Sequence, residues 1–129
     1  MNSELSFSRL VPDGVGGSQF KELSVSVTLK TFAPPAQPLS VSELEEASHC
    51  GFLHLPVGWV GDMHPSPIRM WIVVLEGEMV FESSAGESRH ISPGSALLLE
   101  DTTGQGHSSR VVSSRPVTLM AVRLPEHAA

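Results

Sequence analysis

GWVGDMHPSPIRMWIVVLEG at Gly58–Gly77 and PGSALLLEDTTGQGH at Pro93–His107 carry most of the structural information in this chain of 129 residues. Each contains a strand-length apolar run, WIVVL at Trp71–Leu75 and ALLL at Ala96–Leu99, bracketed by Gly or Pro turns. Side chains alternate across a strand, so Met70, Ile72 and Val74 share one face while Trp71, Val73 and Leu75 share the other. Both faces are apolar, which predicts a strand covered on both sides. Gly77 follows Leu75-Glu76 and permits a sharp change of direction, because glycine tolerates positive φ.

Working outward, Leu23–Leu29 alternates apolar and polar residues at period two, the pattern of a half-buried strand. Further short strands are predicted at Gly51–Leu55, Met79–Ser83, Ser88–Ile91, Ser108–Val112 and Val117–Leu124. Turns rich in Gly, Pro and Ser separate them, and Ser84–Gly86 joins a hairpin as the Gly77 turn does. Ser40–Ala47 reads as a short helical turn, with Ser42 as its cap and Glu45 three residues on. Many short strands between such turns mean an all-β sandwich or barrel in one domain. The expected division is an N-terminal arm at 1–22 loosened by Gly14, Gly16 and Gly17, a barrel at 23–124, and a tail at 125–129.

Composition removes several function classes. A formal net charge of −6 supplies no basic stripe for nucleic acid or an anionic membrane. The longest apolar runs fall far short of a membrane span. Met1–Val15 lacks the basic start and apolar stretch of a secretory signal, and the lone Cys50 has no partner for an internal disulfide. A reducing cytoplasm is therefore expected, with Cys50 as a small buried apolar residue.

The spacing of the first stretch resembles the cupin motif G-x5-H-x-H-x3-E-x6-G, and the second resembles the family's Pro-Gly, strand, then G-x2-H. Together with Pro34–Pro38 and Leu55–Trp59 they look like small single-domain RmlC-like cupins of the cupin 2 conserved-barrel type. The resemblance implies a double-stranded β-helix, or jelly-roll barrel, in which two His and one Glu of the first motif and one His of the second hold a metal. Here His64 and His107 stand at the outer two positions, while Ser66 replaces the second His and Met70 the Glu. A catalytic zinc or non-heme iron needs a third protein ligand beside two His. The expectation is therefore no metal and no cofactor. A divalent metal at His64 and His107, completed by Asp62, Glu100 or Asp101, is the alternative.

Without a metal, paired imidazoles still move protons. An unperturbed His titrates near pH ~6.5, and two close together resist being charged at once, so one is base and the other acid. His64 and His107 are the candidate catalytic pair, with Met70, Ile72, Val74, Trp59 and His54 as candidate substrate-binding residues. His54 either lines the pocket or faces outward; Trp59 either stacks on a flat substrate or closes the barrel mouth. Arg69 and Arg110 should face away, and Asp101–Gly104 reads as a turn. The functions to weigh are a metal-independent lyase, isomerase or cyclase acting on a small organic molecule, a non-catalytic small-ligand binder, and an oxygenase-like metalloenzyme. The doubly apolar Trp71–Leu75 strand further predicts a homodimer, or else an N-terminal arm that wraps back over it.

Overall fold

A computed structural model describes residues 2–126. Of the expected tail, Pro125 and Glu126 are included; Met1 and residues 127–129 lie outside the described residues. The strands are β1 (Asn2–Pro12), β2 (Ser18–Lys30), β3 (Leu39–Val41), β4 (His49–Leu55), β5 (Val60–His64) and β6 (Met70–Glu76). They continue with β7 (Met79–Ser83), β8 (Ser88–Ile91), β9 (Ala96–Leu99), β10 (His107–Val111) and β11 (Val117–Arg123). No helix occurs among the described residues. The strands form a seven-stranded sheet, β3-β2-β1-β9-β6-β11-β4, and a four-stranded sheet, β5-β10-β7-β8.

The predicted period-two faces build the core between these sheets. Leu10, Ile72, Val74, Leu97, Leu99, Val117 and Leu119 come from the larger sheet, and Met79, Phe81, Ile91 and Val111 from the smaller. Burying each such side chain contributes roughly 1.5–3 kcal/mol, enough for the pair of faces to fix every strand's register. Gly77 makes a corner rather than the expected hairpin: β6 pairs with β9 and β11, and β7 belongs to the other sheet. Its positive φ and its packing against Pro116 and Val117 leave no room for a Cβ. The hairpin reading holds at Gly86, where β7 meets β8.

The N-terminal segment is not a loose arm. β1 pairs with β2 along its whole length and, in parallel, with β9 through Ser8–Leu10. The glycines that suggested looseness form the hairpin turn, in which Asp13 Oδ1 accepts from the backbone N–H of Val15 and Gly17 at 2.8 and 2.9 Å. Phe7 of β1 packs edge-on against Trp71 with ring centroids 5.5 Å apart. The expected helical turn over Ser40–Ala47 is absent; 39–41 is a strand and 42–48 runs as an irregular strap. Ser42 Oγ bonds the adjacent Glu43 carbonyl rather than capping a helix. Glu45 instead accepts from Trp71 Nε1 at 3.0 Å and pairs with Arg69. Trp71 is therefore covered by its own chain, and the apolarity of this outer face does not by itself demand a second subunit.

If β1 is integral to the fold, Leu10→Ala should lower the unfolding free energy by about 2–5 kcal/mol, the usual cost of emptying a core leucine site. Urea denaturation measures this; a loose arm would leave the midpoint unchanged.

Candidate functional site

β5 and β10 run antiparallel with His64 directly opposite His107. The approach depends on Gly106, which has positive φ and presses so closely on the His64 carbonyl that a Cβ would overlap it. The incoming loop is tied to the first motif by Ser66 N–H donating to the Asp101 carbonyl at 2.9 Å. The two imidazole centroids lie 5.1 Å apart, and Phe81 stacks at a tilt on His107 at 5.4 Å. His107 is buried, whereas His64 is exposed at the mouth.

Each ring has one nitrogen already engaged. His107 Nδ1 lies 2.6 Å from Asp101 Oδ2, with both side chains buried. His64 Nδ1 lies 2.6 Å from the Asp62 backbone carbonyl. A carbonyl only accepts, so His64 carries its proton on Nδ1, and the carboxylate selects the same tautomer in neutral His107. Both rings are left with an Nε2 lone pair not committed to these partners. Asp101 was legible in the sequence only as a turn residue or a substitute metal ligand. Its partner lies six residues on, and only the folded loop turns the carboxylate onto the ring. Asp101 Oδ1 is buried without a hydrogen-bond partner, a costly condition for a group whose role is only to hold a turn.

The rings open into a cavity of about 380 Å³ between the sheets. Met70 and Ile72 line it, as do Met79, Phe81, Leu99, Ser109 and Leu119. Trp59 lines it too, half-buried, its ring lying over Gly61 so closely that no Cβ fits there. Val74 does not line it: two residues deeper along β6 it is almost wholly enclosed in the core, so it supports the wall. His54 borders the cavity between Leu53 and Leu55, but strand alternation turns its ring outward, where Nδ1 lies 3.2 Å from Thr118 Oγ1. Cys50 is exposed rather than buried, because β4 is an edge strand. Arg69 faces away as expected, donating to Glu100 at 2.9 Å, and Arg110 is exposed.

These residues do not fit a metal. Ser66 Oγ donates to the Ile68 carbonyl, and Met70 brings a soft thioether. Among the three candidate carboxylates, Asp101 engages His107 through Oδ2 and has no third ligating side chain beside it among the described residues, and Glu100 is ion-paired with Arg9 and Arg69. Asp62 contributes its backbone to His64 and does not line the cavity. Among the described residues no group of three His, Cys, Asp or Glu side chains is placed to hold an ion.

No protein-family model matches the sequence, and no curated protein is similar to it. Solved structures do resemble it. An RmlC-like cupin protein from Desulfovibrio desulfuricans is 24% identical over 62% of this chain and 76% of its own, with a TM-score of 0.44. The Cnp3 cupin domain of Schizosaccharomyces pombe is 12% identical over 95% and 84%, with a TM-score of 0.49. The Drosophila melanogaster CENP-C cupin domain is 14% identical over 75% and 74%, at 0.48. These are likenesses of chain path and carry no activity across. The fold itself is the all-β, two-sheet jelly roll of a small cupin-type domain, read directly from the strand order and from the two motif histidines paired across β5 and β10.

The tautomer assignment is open to measurement. Nitrogen-15 NMR of the neutral protein should show His107 protonated on Nδ1 alone. Asp101→Asn should give a mixture of tautomers with the fold retained, since the amide offers both a donor and an acceptor. An unchanged spectrum would remove Asp101 from the site.

Proposed function

We propose that this protein is a metal-independent acid/base enzyme of the lyase or isomerase kind, acting on a small, largely apolar molecule. The observation that carries the reading is the buried Asp101–His107 hydrogen bond beside a second imidazole at the cavity mouth. Asp101 holds His107 with its Nε2 lone pair available as a base and stabilises the imidazolium that forms when it takes a proton. His64, exposed to water, exchanges protons with solvent and returns one to the leaving hydroxyl or to a neighbouring carbon. Removal of one proton and delivery of another is a dehydration when a hydroxyl departs as water, and an isomerisation when nothing departs.

The lining narrows the ligand. Leu55, Trp59, Met70, Ile72, Met79, Phe81 and Leu99 favour an apolar body. No Lys or Arg lines the cavity, and a carboxylate lies behind His107, so organic acids and phosphates are disfavoured. The Nε2 lone pair of neutral His107 offers an acceptor, which suits a hydroxyl, an amine or an activated C–H. A lone exposed thiol, Cys50, is compatible with a reducing cytoplasm, and no described helix is long and apolar enough to cross a membrane.

Proton exchange tests this before the physiological substrate is known. Small hydroxy-ketones and phenols incubated in D₂O with the protein should exchange their activated C–H protons. The rate should survive chelation and fall roughly 10²–10⁴-fold in His107→Gln. The second reading, a non-catalytic binder, rests on the same apolar cavity. Ligand-dependent change in Trp59 fluorescence without any exchange would favour it, and exchange restored only by a stoichiometric added metal would overturn the proposal.

A further inference from the structure

Two open sheets have four edges, and an unprotected edge is a template for another strand. Three of the four carry protective features. β3 is three residues long, follows Pro38 and pairs only with Thr28–Lys30, while the part of β2 that it leaves unpaired carries Lys21 and Glu22. β5 contains Asp62 and a register shift against β10. β8 is four residues long and carries Arg89. β4 has none of these. Its seven residues, HCGFLHL, include no Lys, Arg, Asp, Glu or Pro. It pairs with β11 at every position without a bulge. Six of its seven residues are exposed, with Phe52 at 68% and Leu53 at 43%.

We propose that the occupant of this edge is the β4 strand of a second copy of the chain, paired antiparallel about a two-fold axis at Phe52. A two-fold edge pairing sets a residue opposite itself, and centring on Phe52 engages the whole strand, with His49 opposite the partner's Leu55. Pro56 ends the pairing because it has no N–H to donate. On the outer face the two Phe52 rings meet, and aromatic cross-strand pairs are among the favourable ones. On the inner face Leu53 lies opposite the partner's Gly51. A Cβ built on Gly51 meets nothing within 4 Å, so there is space for that leucine. The absence of charge along the edge favours a like strand over a charged peptide.

The pairing also bears on the cavity. Leu53, His54 and Leu55 border it, and neighbouring strands lie about 4.8 Å apart. The partner's His49 and Gly51 are thereby brought beside Leu55 and Leu53, so the second copy walls the open side between β4 and β5. This holds whether or not the cavity turns over a substrate.

Light scattering of the full chain at tens of micromolar protein should give a dimer. Phe52→Lys, which sets like charges opposite each other, should give a monomer with an unchanged circular dichroism spectrum. Leu5→Lys, on the outer sheet face, should leave the dimer intact. In Cys50→Ser/Phe52→Cys, oxidation should produce a covalent dimer, whereas Cys50→Ser/Glu22→Cys should not; this pair decides the matter if Phe52→Lys fails to fold. A monomeric wild type, a dimer lost in Leu5→Lys but kept in Phe52→Lys, or no cross-link at position 52 would overturn the proposal.

Discussion

The backbone contact between Gly106 and His64 is the constraint on which the site depends. It joins the end of β5 to the start of β10 at a separation only glycine permits. Everything at the cavity mouth follows from it. With Gly106 against the His64 carbonyl, the next residue emerges opposite His64, and the two rings meet though they are far apart in sequence. Ser18 Oγ reinforces the position by donating to the Gly106 carbonyl, so the β1–β2 hairpin also holds this loop. Gln105 N–H donates to the Gly16 carbonyl in the same sense. The glycine-rich N-terminal turn is thus part of the support of the site rather than a decoration of the barrel.

Two adjacent carboxylates divide the electrostatics of the molecule. Glu100 ends the β9 run facing outward, where Arg9 and Arg69 meet it at 3.3 and 2.9 Å. That cluster fastens β1 and the entry to β6 onto β9, and its backbone N–H completes the join by donating to Leu10. Asp101, one residue on, turns inward and meets a single ring nitrogen. Glu100 has guanidinium partners of full charge, so its burial is compensated whatever the solvent does. Asp101 has an imidazole in that place, and its second oxygen is buried without a hydrogen-bond partner.

Much of the barrel was legible because its signals are local. Met79–Ser83, Ser88–Ile91 and Ala96–Leu99 are read with the bounds observed, since apolar alternation between Gly and Pro turns has few other interpretations. β1 was missed although Leu5, Phe7 and Arg9 alternate with serines, because Gly14, Gly16 and Gly17 suggested slackness where they make a tight turn. β3 is too short for periodicity to register, and β5, VGDMH, has no apolar alternation bounded by turns. The capping pattern at Ser42–Glu45 failed because Glu45 found stronger partners in Trp71 and Arg69 than a helix N-terminus offers. Cys50 was misjudged by composition alone: a small apolar residue is usually buried, but a strand at the edge of its sheet has little to bury it. The two histidines were found through motif spacing. Asp101 was not recognised as their support, since no sequence spacing reveals that a turn residue points back at a ring.

Ser66 and Met70, the two positions where the sequence departs from the motif it resembles, are both built into the structure. Ser66 is buried with its hydroxyl satisfied by the Ile68 carbonyl and its N–H by Asp101, so it stabilises the turn that delivers His64 and the loop that delivers Asp101. Met70 fills the position of a carboxylate with a flexible apolar side chain packed against the core cluster. A carboxylate there would have added a second negative charge facing the imidazoles and would have needed a cation to offset it. With Met70 in its place, the carboxylate that meets either of these two rings among the described residues is Asp101, through His107 Nδ1.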